Sequence, residues 1–392
     1  MGILRAFYFT YFLAFGIYSP YLNLYLKQRG FTGVQIGFLN TLIPIVSMVI
    51  PPIAGAIADR KNRRRQLLAG SVFLGIPFLA LVWLVGPGSF PWAVAMMLAF
   101  SVFSSPITPL ADGITLETLR GKAHLYASIR IWGSLGYALA VLTIGRVLER
   151  AGWGSVFGLY VLAGLLAGII ATRVPDGSRV AAETSRQERT PAGMRTLLAN
   201  YSLLSFLLII LLARVGATIY YNFFSIFLDS LKIKPGLIGV SWTVGVVSEI
   251  AVMLFSGWVL QRIGYRTLFF LGVAGSAARW YLYSIASTPG SIVLIQLLHG
   301  LTFGALQIGA ISIVDSQTPP GLKASGQSLL SAVNMGLGGV AGALVGGLLL
   351  DRIGIRALFA VSAWVALAAT ALFAIWAAVT RNSGHGKTPS LS

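Results

Sequence analysis

The 392-residue chain has no cysteine, so neither a disulfide framework nor thiol chemistry is open to it. Charge is scarce as well. Asp, Glu, Lys and Arg make up 10% of the residues, and there are three histidines, His124, His299 and His385. With no cysteine and no His-Glu-x-x-His run, no metal set or activated nucleophile can be assembled. The chain is therefore not expected to be a membrane enzyme or to carry a metal or cofactor. An alternating strand pattern is also missing, which excludes a β-barrel. What fills the chain is apolar: 56% hydrophobic residues and a mean hydropathy of +0.81. This apolar content is spread over many runs rather than gathered in one N-terminal segment, so a cleaved signal peptide does not explain it.

Runs near the roughly 20 residues that a helix needs to cross a bilayer fall at 6–27, 35–58, 67–86, 91–116, 125–148, 154–173, 200–228, 237–260, 267–287, 290–314, 324–350 and 357–379. In lipid every backbone polar group must be satisfied internally, which makes these twelve spans helices. The formal charge of +18 invites a nucleic-acid reading, but its placement argues for topology instead. With loops assigned alternately inside and outside, 18 of the 29 basic residues lie on the inner side, among them Arg60, Lys61, Arg63, Arg64 and Arg65. That bias follows the positive-inside rule and puts both termini in the cytoplasm of a multi-pass inner-membrane protein, with the bilayer rather than nucleic acid as partner.

The one long polar stretch between spans, 174–199, reads as a cytoplasmic linker between a six-helix bundle at 1–173 and another at 200–380, with a Gly/Ser-rich disordered tail at 381–392. The halves resemble each other. Gly55-x-x-x-Asp59-Arg60 and Gly257-x-x-x-Gln261-Arg262 are 202 residues apart, and so are Leu148-Glu149-Arg150-x-Gly152 and Leu350-Asp351-Arg352-x-Gly354. Two distant matches at one offset point to a duplicated 6+6 bundle.

Within the spans a few ionisable groups stand out, because each costs about 3 kcal/mol in hydrocarbon unless it finds a partner or water. Hairpin geometry sets their depths. Asp112 and Arg130 are each nine residues from Gly121, Glu249 and Arg279 are each fifteen from Gly264, and Arg279 and His299 are each ten from Pro289. One opposite-charge pair per half is thus expected to meet, with His299 joining the second. Helical spacing places Arg130, Ser134 and Tyr137 on one face, Arg214, Thr218 and Tyr221 on another, and Trp242, Gly245 and Glu249 on a third. Charged groups beside aromatics suit a small-solute site. Pro106 and Pro109 free carbonyls just before Asp112.

The run Gly55-x-x-x-Asp59-Arg60-x-x-Arg63-Arg64 resembles the cytoplasmic loop motif of major facilitator transporters, in which Gly55, Asp59, Arg60 and Arg64 would form a gate. Tyr8-Phe-Thr-Tyr11, Gly16-Ile-Tyr18-Ser-Pro20 and Arg130-Ile-Trp-Gly133-Ser-Leu-Gly136-Tyr137 resemble the lactose permease branch of that superfamily, and more closely its phenylpropionate permease group, over nearly all twelve helices. The resemblance implies a solute site between the two bundles. Asp112 and Arg130 match its sugar-binding acid and arginine, Tyr137 its stacking tryptophan, and Glu249, Arg279 and His299 its proton-coupling set. Two departures stand out: Thr302 replaces an acid on the tenth helix, and Arg214 falls at an acidic position on the seventh.

These residues lead to a proton-coupled symporter working by alternating access, complete in one chain and so a functional monomer, with a proton and a small organic solute as partners. Glu249 is the only mid-membrane acid of the second half and is the expected proton carrier. Arg130, Arg214 and Arg279 outnumber Asp112 and Glu249, which favours an organic or aromatic acid as solute, with a sugar or nucleoside close behind. The alternative is a proton-driven antiporter that exports drug-like or metabolite solutes.

Overall fold

The computed structural model describes residues 1–61, 63–86, 88–119, 122, 125–176 and 191–382. Arg120, Gly121, His124, residues 177–190 of the linker and residues 383–392 of the tail lie outside the described residues. Among those described there are helices and no strands, as the apolar composition requires. Eight helices are long and apolar enough to cross a membrane. Several are fused, because three loops shrink to a single glycine with a positive φ: Gly152 (70°), Gly264 (72°) and Gly354 (78°). Only glycine reaches that region cheaply, so one residue turns the chain out of the helix.

Counted between these breaks, the described residues form twelve long rods that overlap the twelve expected spans. They are α1 (2–28), α2 (33–61), α3 (64–84), α4 (90–119), α5 (126–151), α6 (153–171), α7 (201–230), α8 (235–263), α9 (265–285), α10 (289–317), α11 (320–353) and α12 (355–382). Helix α1 pauses at 19–21 and α4 at 105–106, where Pro20 and Pro106 each remove a backbone donor. Within the linker, Pro191–Leu198 is helical.

The chain divides into two compact units that do not follow the sequence repeat. The first holds the described residues up to 176 together with 221–246 and 343–355, so the ends of the α7–α8 and α11–α12 hairpins group with the first half. One end of it is tied by an aromatic knot in which the Tyr25 hydroxyl donates to the Trp83 carbonyl at 2.7 Å and the Tyr25 ring packs on Trp83 and Phe157. The second unit holds the described residues 191–220, 247–342 and 356–382. Its core stacks Phe206, Phe269, Phe373 and Trp376, with Phe269 and Phe373 centroids 4.6 Å apart, and the Trp376 N–H donates to the Ser202 carbonyl at 2.9 Å. Leu254, Leu294, Leu162 and Trp364 are exposed on the rods, as side chains facing lipid would be.

Candidate functional site

The first unit carries a cluster centred on Asp112. Helix α4 resumes at Ile107 and presents Asp112 and Thr115 on one face. The Tyr8 hydroxyl of α1 donates to Asp112 Oδ1 at 2.5 Å, and the Thr115 hydroxyl donates to the Tyr8 oxygen at 3.3 Å. Arg130, near the start of α5, lays its guanidinium 4.2 Å from the Phe12 ring centre and 5.4 Å from that of Tyr8. Tyr126, one turn earlier, interacts with both Asp112 and Arg130. The expected Asp112–Arg130 ion pair is therefore replaced by an indirect arrangement. The acid is held by a phenol, the arginine by aromatic faces, and hydroxyls lie around both. Tyr137, two turns beyond Arg130, is half-buried against Phe15 with centroids 5.8 Å apart.

The second unit carries a cluster centred on Arg279, of which only 1% is exposed. Its Nη2 donates to Gln296 Oε1 at 2.5 Å, and its Nη1 donates to His299 Nδ1 at 2.9 Å and Thr302 Oγ1 at 3.0 Å. Its plane lies over Tyr220 (4.3 Å) and Trp280 (4.9 Å). The three acceptors sit three residues apart on α10, where the helix tightens to a 3₁₀ turn over Gln296–Leu298 and loosens to a π turn over Leu301–Ala305. Irregular turns of this kind gather at functional sites. Gln296 also exchanges hydrogen bonds with the Tyr220 hydroxyl at 3.0 to 3.1 Å.

Arginine has donors only, so His299 Nδ1 must accept and the proton of a neutral His299 sits on Nε2. That nitrogen faces Glu249 Oε2 at 3.7 Å, and the Glu249 side chain is 24% exposed. His299 thus stands between Glu249 and Arg279, which sequence spacing had paired directly.

Other expected residues are placed as follows. The stem of Arg214 packs on Gly338 and that of Thr218 on Gly342, where added Cβ atoms would come within 2.6 Å of each side chain. Trp242 is buried, donates to the Ser225 hydroxyl at 3.0 Å and lies 6.2 Å from the Tyr221 ring. On the loop between α2 and α3, Arg64 donates to Asp59 Oδ1 through Nε at 2.8 Å and Nη2 at 2.6 Å, and it also pairs with Glu117 of α4. Asp59 is engaged within its own unit, a Cβ at Gly55 would meet nothing within 4 Å, and Arg60 is exposed. Tyr8, Tyr126, Gln296, Tyr220 and Glu117 were missed by sequence reasoning. The neutral ones carry no charge signal, and Glu117 sits too near a loop to look stranded.

The fold agrees with the comparisons to known proteins. The MFS_1 like family profile matches residues 2–361, and the chain belongs to that family of the major facilitator superfamily. It is 30% identical over 356 residues to the maltose permease of Geobacillus stearothermophilus, covering 90% of this chain and 88% of that one. It is 24% identical over 333 residues to the "Probable 3-phenylpropionic acid transporter" of Escherichia coli (strain K12), covering 84% and 86%. The crystal structure of the nucleoside transporter NupG superimposes with a TM-score of 0.84 at 18% identity, over 95% of this chain and 98% of that one. The protein is an integral, multi-pass membrane transporter of this superfamily.

Proposed function

We propose that the protein is a proton-coupled symporter of a small hydroxyl-bearing solute in the sugar-to-nucleoside range. The observation that carries the solute class is the Asp112 cluster. A carboxylate held at 2.5 Å by Tyr8, with Thr115, Tyr126 and Arg130 at hand, offers acceptors and donors matched to hydroxyl groups. In this reading Asp112 and Arg130 bind the solute and Tyr137 stacks on it. Tyr221 and Trp242 supply an aromatic wall, and Arg214 is a further solute-binding candidate on its own helical face.

Counting arginines favours an anion, but Arg279 is occupied by four side-chain acceptors and three aromatic faces and is unavailable to a solute carboxylate as placed. With Arg279 set aside, two arginines balance two acids. The similarity to a maltose permease and to a nucleoside transporter supports the hydroxylated class. The relative named for 3-phenylpropionic acid keeps an aromatic acid as the second reading.

For coupling, Glu249 carries the proton. His299, its tautomer set by Arg279, connects Glu249 to the arginine. A change in that contact during the conformational cycle alters how tightly Glu249 holds its proton, which links proton and solute movement. Gly55, Asp59, Arg60 and Arg64 act as the cytoplasmic gate, with Asp59 exchanging Arg64 for partners in the other half of the chain in the alternate state.

Right-side-out vesicles with an imposed inward proton gradient test this directly. Radiolabelled maltose, a nucleoside and 3-phenylpropionate are offered in parallel. Uphill accumulation of a hydroxylated solute that collapses with a protonophore is the expected result. Gradient-driven depletion would identify an antiporter, and accumulation of the acid alone would overturn the solute class.

A further inference from the structure

The 202-residue repeat also runs through the contacts of the first unit, at the ends of helices that the charge bias places on the outer side. Helix α1 closes with Gly30 N–H donating to the Lys27 carbonyl at 3.0 Å and Phe31 N–H to Leu26 at 3.1 Å. Helix α7 closes the same way, with Lys232 N–H donating to Asp229 at 2.8 Å and Ile233 N–H to Leu228 at 3.1 Å. The next helices then begin at Gly33 and Pro235.

The first N–H groups of a helix have no partner within it. In α2 the Gly33 and Val34 N–H groups donate to the two carboxylate oxygens of Asp351, at 2.7 and 2.9 Å. In α8 the Gly236 N–H donates to Glu149 Oε1 at 2.6 Å. Asp351 lies 202 residues after Glu149, and Gly236 lies 202 after Val34. The same contact is therefore built twice, each time with an acid from one repeat binding a helix of the other.

These are not local caps. Asp351 reaches Gly33 across 318 positions, and α2 already has its own capping box, in which the Gln35 N–H donates to Thr32 Oγ1 at 3.2 Å and the Thr32 N–H to Gln35 Oε1 at 3.0 Å. The seam beside the acids is duplicated as well. A Cβ at Gly37 would run into the Ala343 carbonyl, and one at Gly239 into that of Val141, again 202 residues apart. The unequal donor count has a simple cause: Pro235 stands where the first repeat has Gly33 and offers no N–H, so Glu149 has one donor to take and Asp351 has two, with Lys27 also 4.0 Å from Asp351 Oδ1.

We propose that Glu149 and Asp351 are paired latches that hold the outer side of the transporter shut, and that opening outward requires both carboxylates to leave the N-termini of α8 and α2. A carboxylate at a helix N-terminus gains from charge-assisted hydrogen bonds and from the helix dipole. Both contributions are lost when the seam parts.

Because the chain lacks cysteine, Thr41→Cys supplies a lone thiol on α2, one turn beyond Gly37 and 3% exposed in the parent. Labelling by a membrane-impermeant maleimide in right-side-out vesicles then reads outer opening with no solute present, so its outcome does not bear on the proposed solute or coupling ion. Glu149→Gln and Asp351→Asn keep size and remove charge. The double variant is expected to label about tenfold faster than the parent. Asp351→Asn alone should exceed Glu149→Gln alone because it loosens two donors. Asp351→Glu, which keeps the charge, should stay near the parent rate. A double variant that is monodisperse and labels at the parent rate overturns the proposal. If the double variant does not reach the membrane, the single variants are read, and parent rates in both overturn it equally.

Discussion

The two sequence repeats share their frame and differ in their chemistry. The Gly152 and Gly354 breaks and the outer contacts recur 202 residues apart, down to the hydrogen bonds of the α1 and α7 ends, whereas Gly264 has Asn62 as its counterpart. The polar clusters do not recur. Asp112 and Arg130 have Val314 and Ala332 as counterparts, while Arg279 and His299 have Pro77 and Met97. The clusters also differ in kind. In the first half a carboxylate takes a phenol at 2.5 Å and its arginine rests on ring faces, leaving hydrogen-bonding capacity around both. In the second half an arginine donates to Gln296, His299, Thr302 and Tyr283 inside an aromatic cage, and His299 in turn faces Glu249. Duplication preserves what bends and closes the molecule, and under the proposed function the first half's cluster serves the solute and the second half's the proton.

That division is most exposed at Arg279. Arg279→Lys replaces a planar fork by a single ammonium that cannot serve Gln296, His299 and Thr302 together. Uphill uptake is expected to fall about 100-fold, and stability by roughly 3 kcal/mol as buried acceptors lose their donors. Vesicle uptake and the Tm of the purified protein check both, and uptake within twofold of the parent would put the coupling cluster elsewhere.

Asp112→Asn should act differently, because Tyr8 keeps an acceptor and the fold is spared. Solute affinity drops about 10- to 100-fold, equivalent to about 1.4 to 2.7 kcal/mol, with little change in Tm. Titration calorimetry with the transported solute reads it. Tyr8→Phe removes only the donor and should weaken binding about three- to tenfold, as loss of one hydrogen bond does. A larger loss from Tyr8→Phe than from Asp112→Asn would reverse the roles assigned to the two groups.

The smallest effect tests the shared frame. Lys232 holds a φ of 58° where the first repeat has Gly30 at 87°. A side chain there costs about 1 kcal/mol, so Lys232→Gly should raise Tm slightly with transport unchanged. A fall in Tm would mean that the lysine side chain contributes more than its backbone strain costs.

Much of the frame was legible in the sequence, since apolar run length and the positive-inside bias are strong, local signals. Helix ends were less so: at Gly152, Gly264 and Gly354 the loop is one residue, where the apolar runs leave wider gaps at 149–153, 261–266 and 351–356. In the sites, Glu249, Arg279 and His299 stood out because charge in lipid is costly. Gln296 did not, although it makes the shortest bond to Arg279, because a neutral amide on an apolar helix raises no alarm. Tyr8 was one of several tyrosines on α1, and nothing local marks the one that meets Asp112, 104 positions away. Glu149 and Asp351 were visible only as repeat markers, since their partners are set by tertiary packing.

Glu249→Gln separates the two halves of the mechanism most cleanly. In proteoliposomes, solute exchange at equilibrium should continue near the parent rate while accumulation driven by a pH gradient disappears. If the variant still concentrates solute against its gradient when only ΔpH is imposed, Glu249 does not carry the proton, and the assignment of coupling to the second half fails with it.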